Sequence, residues 1–545
     1  MVNNPASWKT FIGRVCFATI LSSASVGNAY IWPNPMLEEL DSQLYDRQGY
    51  NARGLPGGMR PDCNVFFFNN VPGTGRANVG DWVRTAYHDM ATHNTADGTG
   101  GLDASIRFEQ QRQENAGDGF QNTLLFIQGL SNRYFSLADN IALAAVTAIE
   151  MCGGPKINFR GGRIDATTAN TPGVPEPQQS LTEHIASFAR QGFTQSEMIS
   201  LIACGHTFGG VQHIAFPDIS PASVDPENTS GNSRFDTTFT YFDNNIVTEY
   251  LDGTTASPLI VGDNIATRSD FRIFSSDSNV TMTGLTDPSV FRSTCANLYA
   301  RMIDTVPSSV TLTEVIQPLR VKPVAVQLIW IGGGNIKLQG EVRFWDSSPS
   351  QIKLVWKARD GSSNSAFSAT LTDPSLTTNP LVPDSPSLVS HWYEFLAVII
   401  DAIHSISTFW FEVSHGDGSM TVEDQGGVGF QLQDVVMLAS STCSTSSGQV
   451  SLDFVIRADI EPSRVYVRSD AFDDTQSPIT TTIDIPPPTV LPTVVSGYRA
   501  WSAVVSLNGR QWTLAVDVGL QTFETTYVAP LTSFHLNTAN LFPCS

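Results

Sequence analysis

The sequence predicts a multidomain chain: a mainly α domain over residues 30–308, followed by all-β sandwich domains over residues 309–422 and 423–545. Three observations carry that reading. Up to about residue 305, apolar residues recur at three- and four-residue spacing, as in residues 124–149, which is the period of a helix with a buried face. From about Val310 the spacing changes to alternation, as in Val450, Leu452, Phe454 and Ile456, in runs bounded by Gly, Ser, Thr and Pro. A chain of 545 residues, 41% of them hydrophobic, can also fill more than one core.

In chain order, residues 1–29 hold Lys9 and Arg14 but no acid, then an apolar run from Val15 to Ile20, and end in small residues at Ala29. This is the pattern of a secretory leader cleaved near Ala29, with a run far too short to span a bilayer, so export to an extracellular medium is expected. Sequons at Asn228 and Asn279 fit export. A formal charge of −21 and a pI of about 4.7 argue against nucleic acid and anionic membrane surfaces as partners.

Residues 30–79 are rich in Gly, Pro and Asn and predict an irregular lead-in with one or two short helices around residues 36–45. Residues 81–94, D-W-V-R-T-A-Y-H-D-M-A-T-H-N, predict a helix that places Arg84, Tyr87 and His88 at i, i+3 and i+4 on one face. The Gly-rich loop 97–105 that follows offers alternating oxygen donors of the kind that surround a hard cation. Residues 124–149 predict a core helix stopped at Cys152-Gly153-Gly154-Pro155. In residues 194–210, T-Q-S-E-M-I-S-L-I-A-C-G-H-T-F-G-G, Thr194 and Glu197 form a capping box and Met198, Ile199, Ile202 and Ala203 a buried stripe that His206 continues. Gly205 before that histidine and two glycines soon after would let a flat cofactor approach the backbone.

These two stretches, in this order, resemble the haem peroxidase superfamily of plants, fungi and bacteria. Arg84, Tyr87, His88 and Asp89 match its distal signature, and Gly205, His206, Thr207 and Gly209 its proximal one. The likeness covers roughly residues 32–305. It implies a secreted enzyme that uses haem b to reduce hydrogen peroxide and oxidise small one-electron donors, phenolic in type, at the haem edge. His88 is then the acid–base group, Arg84 the stabiliser of developing charge, and Asn115, with Glu109 in the same network, the acceptor for the His88 Nδ1 proton. Tyr87 stands where Phe or Trp is usual, either packing against the haem edge or joining a distal water network. His206 is the iron ligand, Asp270 the carboxylate on its other nitrogen, and Phe235 the ring beside the haem. The resemblance further implies two Ca2+ ions, a distal one on Asp89, the Gly101 carbonyl, Asp103 and Ser105, and a proximal one on Thr207, Asp236, Thr238, Tyr241 and Asp243.

Other matches fill in the frame. Arg163 and Asp165, in a Gly-Arg-x-Asp loop, are expected as a buried pair, with residues 172–177 on the access edge. The positions that bind manganese in some fungal relatives are Ala77, Asp81 and Gln212 here, and the surface Trp position of lignin-oxidising relatives is Leu201, so neither specialised donor site is expected. Removal of Cys16 with the leader leaves six cysteines, enough for three disulfides in an oxidising compartment. The resemblance favours Cys63 with Cys152. Cys443 with Cys544 would staple the C-terminal region and Cys204 with Cys295 remains, although the sequence leaves the connectivity open.

In the C-terminal half, residues 503–518 predict a hairpin turning at Asn508-Gly509, residues 374–386 a Pro-rich loop, and residues 392–413 core strand or helix. No ligand motif stands out there. Two alternatives are kept: a glycan-associated protein that contacts polysaccharide through the β domains with peroxidase chemistry secondary, and catalase-like turnover with peroxide itself as reductant. A monomer is expected.

Overall fold

A computed structural model describes residues 30–46, 63–64, 66–68, 71–223, 227–345, 347–367, 370–378, 389–444, 449–474, 477–507, 511–525 and 544. The expected leader and the Asn508-Gly509 turn lie outside the described residues.

The first half is helical. Helix α1 (Pro35–Tyr45) starts where Asn34 accepts the Leu37 N–H and Pro35 fixes the first turn. α2 (Asn78–Met90) carries the Arg84–His88 face, and packs against α3 (Gly119–Ile127) and α4 (Leu137–Met151). α4 is buried from Leu137 to Glu150, and the side chains of Asp139, Asn140 and Glu150 within it are each hydrogen-bonded. α5 (Leu181–Arg190) and α6 (Gln195–Gly205) each open with a capping box, Ser180 with Glu183 and Thr194 with Glu197. α7 (Asn245–Asp252), α8 (Ser269–Phe274) and α9 (Pro288–Ile303) complete the layer beneath α6. Cys204 bonds Cys295 on α9, which pins the last turn of α6 just before His206, and Cys63 bonds Cys152 at the end of α4. Arg163 does not pair with Asp165. Its guanidinium lies 2.8 Å from Asp139 on α4, while Asp165 accepts the Leu137 and Ala138 N–H groups at the start of the same helix.

From Val321 on, the described chain is β. One nine-stranded sheet runs in the order Val494–Val495, Tyr498–Ser506, Gln449–Arg457, Val436–Ala439, Val321–Gly332, Asn335–Trp345, Val389–Asp401 and Thr370–Thr378, with Cys443–Ser444 beside Gln449–Arg457. Two smaller sheets cover it. Strands Gln351–Lys357 and Thr408–Ser414 enclose a core of Leu338, Val342, Phe344, Leu354, Phe409 and Phe411. Strands Arg464–Phe472 and Gln511–Val518 enclose a second of Leu452, Phe454, Val467, Trp512 and Leu514. Consecutive residues of one strand feed both cores: Val436 belongs to the second and Met437 to the first, because side chains alternate across the pleat. The boundary expected at 422/423 falls inside the strand Met420–Glu423, and the common sheet draws strands from both sides of it. Residues 374–378 of the expected loop are strand, and residues 392–413 form two strands, ending Val389–Asp401 and making Thr408–Ser414. The third disulfide, Cys443 to Cys544, closes the C-terminal region.

The halves are joined by buried charge. Asp41 and Asp46 of α1 meet Lys322 and Arg343 of the β sheet, all four side chains inaccessible to solvent, with Arg343 2.7 Å from Asp41 and Lys322 3.0 Å from Asp46. Arg133, between α3 and α4, reaches Asp470 at 2.6 Å, the Arg468 carbonyl at 2.9 Å and Thr513 at 3.2 Å in the last β layer.

Candidate active site

α2, the end of α6 and the loop 175–178 line one cavity of about 680 Å³, within the range of cofactor and ligand pockets. From α2 come Arg84, Tyr87 and His88. From the end of α6 come Gly205 and His206, with Phe235 and Asp270 beside them.

The hydrogen bonds fix the tautomer of His88. Asn115 Nδ2 donates to the Glu109 carbonyl at 3.1 Å, and since a carbonyl only accepts, Asn115 must turn its Oδ1 toward His88 Nδ1, 2.8 Å away. His88 therefore holds its proton on Nδ1 and offers an Nε2 lone pair, on which Arg84 Nε donates at 3.3 Å. Burial and then the Arg84 charge hold the His88 pKa well below the usual imidazole value, which keeps the ring a free base. Arg84 is itself fixed, by the Ala116 carbonyl at 3.0 Å and by the Phe120 ring 4.4 Å from its guanidinium carbon. Burial lowers its pKa to about 10, which leaves it charged at neutral pH. Tyr87 packs, with its ring stacked on Phe188 at 6.0 Å and its buried hydroxyl toward Gln191.

On the other side, His206 Nδ1 lies 2.7 Å from Asp270 Oδ2, and Ser269 Oγ donates to the second carboxylate oxygen. The Asp270 carboxylate accepts a hydrogen bond from the Nδ1–H, which leaves the Nε2 lone pair as the one that could bind a metal. Phe235 stacks on the imidazole at 4.1 Å and sets its plane. A Cβ on Gly205 would meet nothing within 4 Å, and Gly205 and His206 both line the cavity. Gly209 lines the cavity and also abuts Gly80 of α2, where a Cβ on Gly80 would come within 3.0 Å of the Gly209 Cα, so the two backbones meet there. The cavity, the free Nε2 and the oriented carboxylate fit a haem.

The two expected cation sets differ. In the proximal one, Asp236 is 4% exposed and its Oδ2 is buried without a hydrogen-bond partner. Burial, then the Asp243 carboxylate, push its pKa up to about 8. Thr238 Oγ1 donates to Asp243 Oδ1 at 3.0 Å, and Thr207 Oγ1 to the Asp243 carbonyl at 2.8 Å. Two facing acids with a spare oxygen fit a hard cation. Tyr241 belongs to the same turn, through its N–H on the Thr238 carbonyl. In the distal set, Asp89 spends both oxygens on backbone N–H groups, Oδ2 on Asp103 and Ala104 and Oδ1 on Ile106. Asp103 and Ser105 receive the side-chain amide of Asn170. Gly101 is held by its N–H on Thr92 Oγ1. As arranged, this set does not fit a calcium ion.

Sequence reasoning missed Phe120, Ala116, Phe188 and Asn170, which reach the site from segments with no local motif. The Ser180–Glu183 capping box was missed although its signature is the one read at Thr194.

The family described as Peroxidase matches residues 68–285. A WSC domain-containing protein of Arthroderma benhamiae is 40% identical over 345 residues, 61% of this chain and 46% of its own. L-ascorbate peroxidase 5, peroxisomal, of Arabidopsis thaliana is 30% identical over 175 residues, 32% of this chain and 58% of its own. The mitochondrial cytochrome c peroxidase of Yarrowia lipolytica is 31% identical over 133 residues, 23% of this chain and 39% of its own. The chain thus spans roughly half the length of these relatives. With the paired His88–Arg84 and His206–Asp270 arrangements on one cavity inside the matched span, residues 68–285 of this chain are a domain of the haem peroxidase superfamily.

Proposed function

We propose that the chain is an exported peroxidase that reduces hydrogen peroxide with bound haem b and takes single electrons from small donors of phenolic type. The observation that carries it is one cavity lined both by a free-base imidazole beside a guanidinium and by an imidazole backed by a carboxylate. Haem supplies the redox centre that accepts two electrons' worth of oxidation from peroxide. His206 Nε2 would hold it, and Asp270 makes that nitrogen more electron-donating by drawing on the Nδ1 proton. His88 Nε2 takes the proton from the near oxygen of peroxide and returns it to the departing oxygen, and Arg84 stabilises the negative charge that builds there. The sum is one peroxide and two donor molecules giving two waters and two one-electron-oxidised donors. Donors would approach along Pro175, Glu176, Pro177 and Gln178 at the cavity rim.

The proximal cation, by holding Thr207 next to His206, would keep the ligand still. Export rests on the leader pattern of residues 1–29 and on three disulfides, and N-terminal sequencing of protein from culture medium tests it. Rapid mixing of the haem-loaded chain with peroxide tests the chemistry. His88→Ala is expected to slow the spectral change by about 100- to 10,000-fold, and a change of less than tenfold would overturn the assignment. Oxygen evolution without added donor would favour catalase-like turnover instead.

A second reading is favoured by one observation. The likeness to the WSC domain-containing protein runs longer than the whole of residues 68–285, so part of the β half is shared with a relative not named for peroxide chemistry. Retention of the full chain on insoluble polysaccharide would support a targeting role for that half.

A further inference from the structure

We infer that Asn170 takes the place of the distal cation, so that the distal half of the site is tied together by a side-chain amide and needs no metal. Asn170 Nδ2 lies 3.0 and 2.9 Å from the two oxygens of Asp103, 2.9 Å from Ser105 Oγ and 3.2 Å from Thr92 Oγ1. Thr92 stands just past the end of α2, and Asp103 and Ser105 belong to the loop that follows it. One amide therefore joins the segments that a calcium ion would join. The orientation of the amide follows from its neighbours: a carboxylate only accepts, and the reverse orientation would set the Asn170 oxygen against both oxygens of Asp103.

The acid oxygens also have N–H partners in this arrangement. Asp89 accepts three backbone N–H groups at 2.7–2.8 Å, donors that favour its charged form, and Ser105 Oγ lies 3.5 Å from its Oδ1. Asp103 receives the Asn170 amide and, at 3.1 Å, the Ser105 N–H. A calcium ion needs six to eight oxygens converging at about 2.3–2.6 Å, and this cluster has turned its acid oxygens onto N–H donors.

Asn170 is fixed at its backbone too. Its N–H donates to Glu109 Oε1 at 2.7 Å, and its carbonyl accepts from Arg112. The Glu109 carbonyl in turn orients Asn115, which holds His88. The backbone of residue 170 thus joins the Glu109–Asn115–His88 chain of hydrogen bonds, while the Asn170 side chain links α2 and the loop.

The test uses the full haem-loaded chain, purified in calcium-containing buffer and desalted. Atomic emission is expected to find at most one calcium per chain in the wild type and none in Asp236→Asn. Two per chain in the wild type, or one in Asp236→Asn, would overturn the inference. None in the wild type would agree with it and would instead sink the proximal cation of the proposed function, so the two readings fail separately. Hydrogen exchange gives the second arm. Protection of residues 89–106 in the wild type is expected to be unchanged by a calcium chelator, and Asn170→Ala to raise exchange there by tenfold or more. Loss of wild-type protection on chelation, or unchanged exchange in Asn170→Ala, would overturn it, and the chelation arm needs no variant to fold.

Discussion

His88 is a buried base whose two nitrogens are committed to different partners, and its behaviour with pH follows from that. Because burial and Arg84 depress its pKa, the ring stays unprotonated well below pH 6.5, and the rate of reaction with peroxide should hold steady until far more acid conditions. A stopped-flow pH profile with an acid midpoint at or above 6.5 would contradict the arrangement. Replacing Asn115 with Val removes the acceptor that keeps the proton on Nδ1, so a loss of about 10- to 100-fold is expected in the same experiment. Arg84, His88 and His206 were legible in the sequence because their chemistry is spelled out within a few residues of helix. Asn170 and Phe120 were not, since each meets the site from another segment and only the fold sets the distance.

Among the strands, Glu341 and Glu394 stand directly opposite each other across neighbouring strands, an arrangement that like charges disfavour. Glu341 is 6% exposed, and burial, then Glu394, push its pKa up to about 7. In the unfolded chain it titrates near 4.5, so between those values the folded state binds the proton and the unfolded state does not. The stability it contributes is therefore complete below about pH 4.5 and is lost as the pH rises through about 7. Denaturant unfolding at pH 5 and pH 8 should show the fall, and it should be smaller in Glu341→Gln, the rest coming from other raised acids such as Asp236. An equal fall in the variant would refute the pairing as its cause. The strands themselves were legible from alternation, as in Val450 to Ile456, whereas the sharing of one sheet by both sandwiches was not. That join rests on two parallel pairs, Leu438 with Ile329 and Ala439 with Trp330, separated by more than a hundred residues and marked by nothing local.

At the scale of the molecule, the helical and β halves are fastened by buried ions. Arg133 and Asp470 are 4% and 5% exposed, and Arg133→Ala would leave the acid with only Gln511 at its other oxygen. Such a loss costs about 3 kcal/mol, to be read from denaturant unfolding; a change below about 0.5 kcal/mol, the size of an ordinary surface substitution, would mean the contact is not formed. The change in periodicity near Val310 announced two kinds of structure. It did not announce that α1, from the start of the chain, is held by strands from beyond that point, because charged residues in a sequence are read as surface until a partner appears. That dependence has a consequence for manufacture. A ribosome releases Asp41 and Asp46 nearly three hundred residues before Lys322 and Arg343, so the catalytic half emerges with two acids that must wait for their cations. Helix α1 can therefore reach its final surroundings only once the β half has been made, and a chain cut short after the helices would leave both acids without these cations.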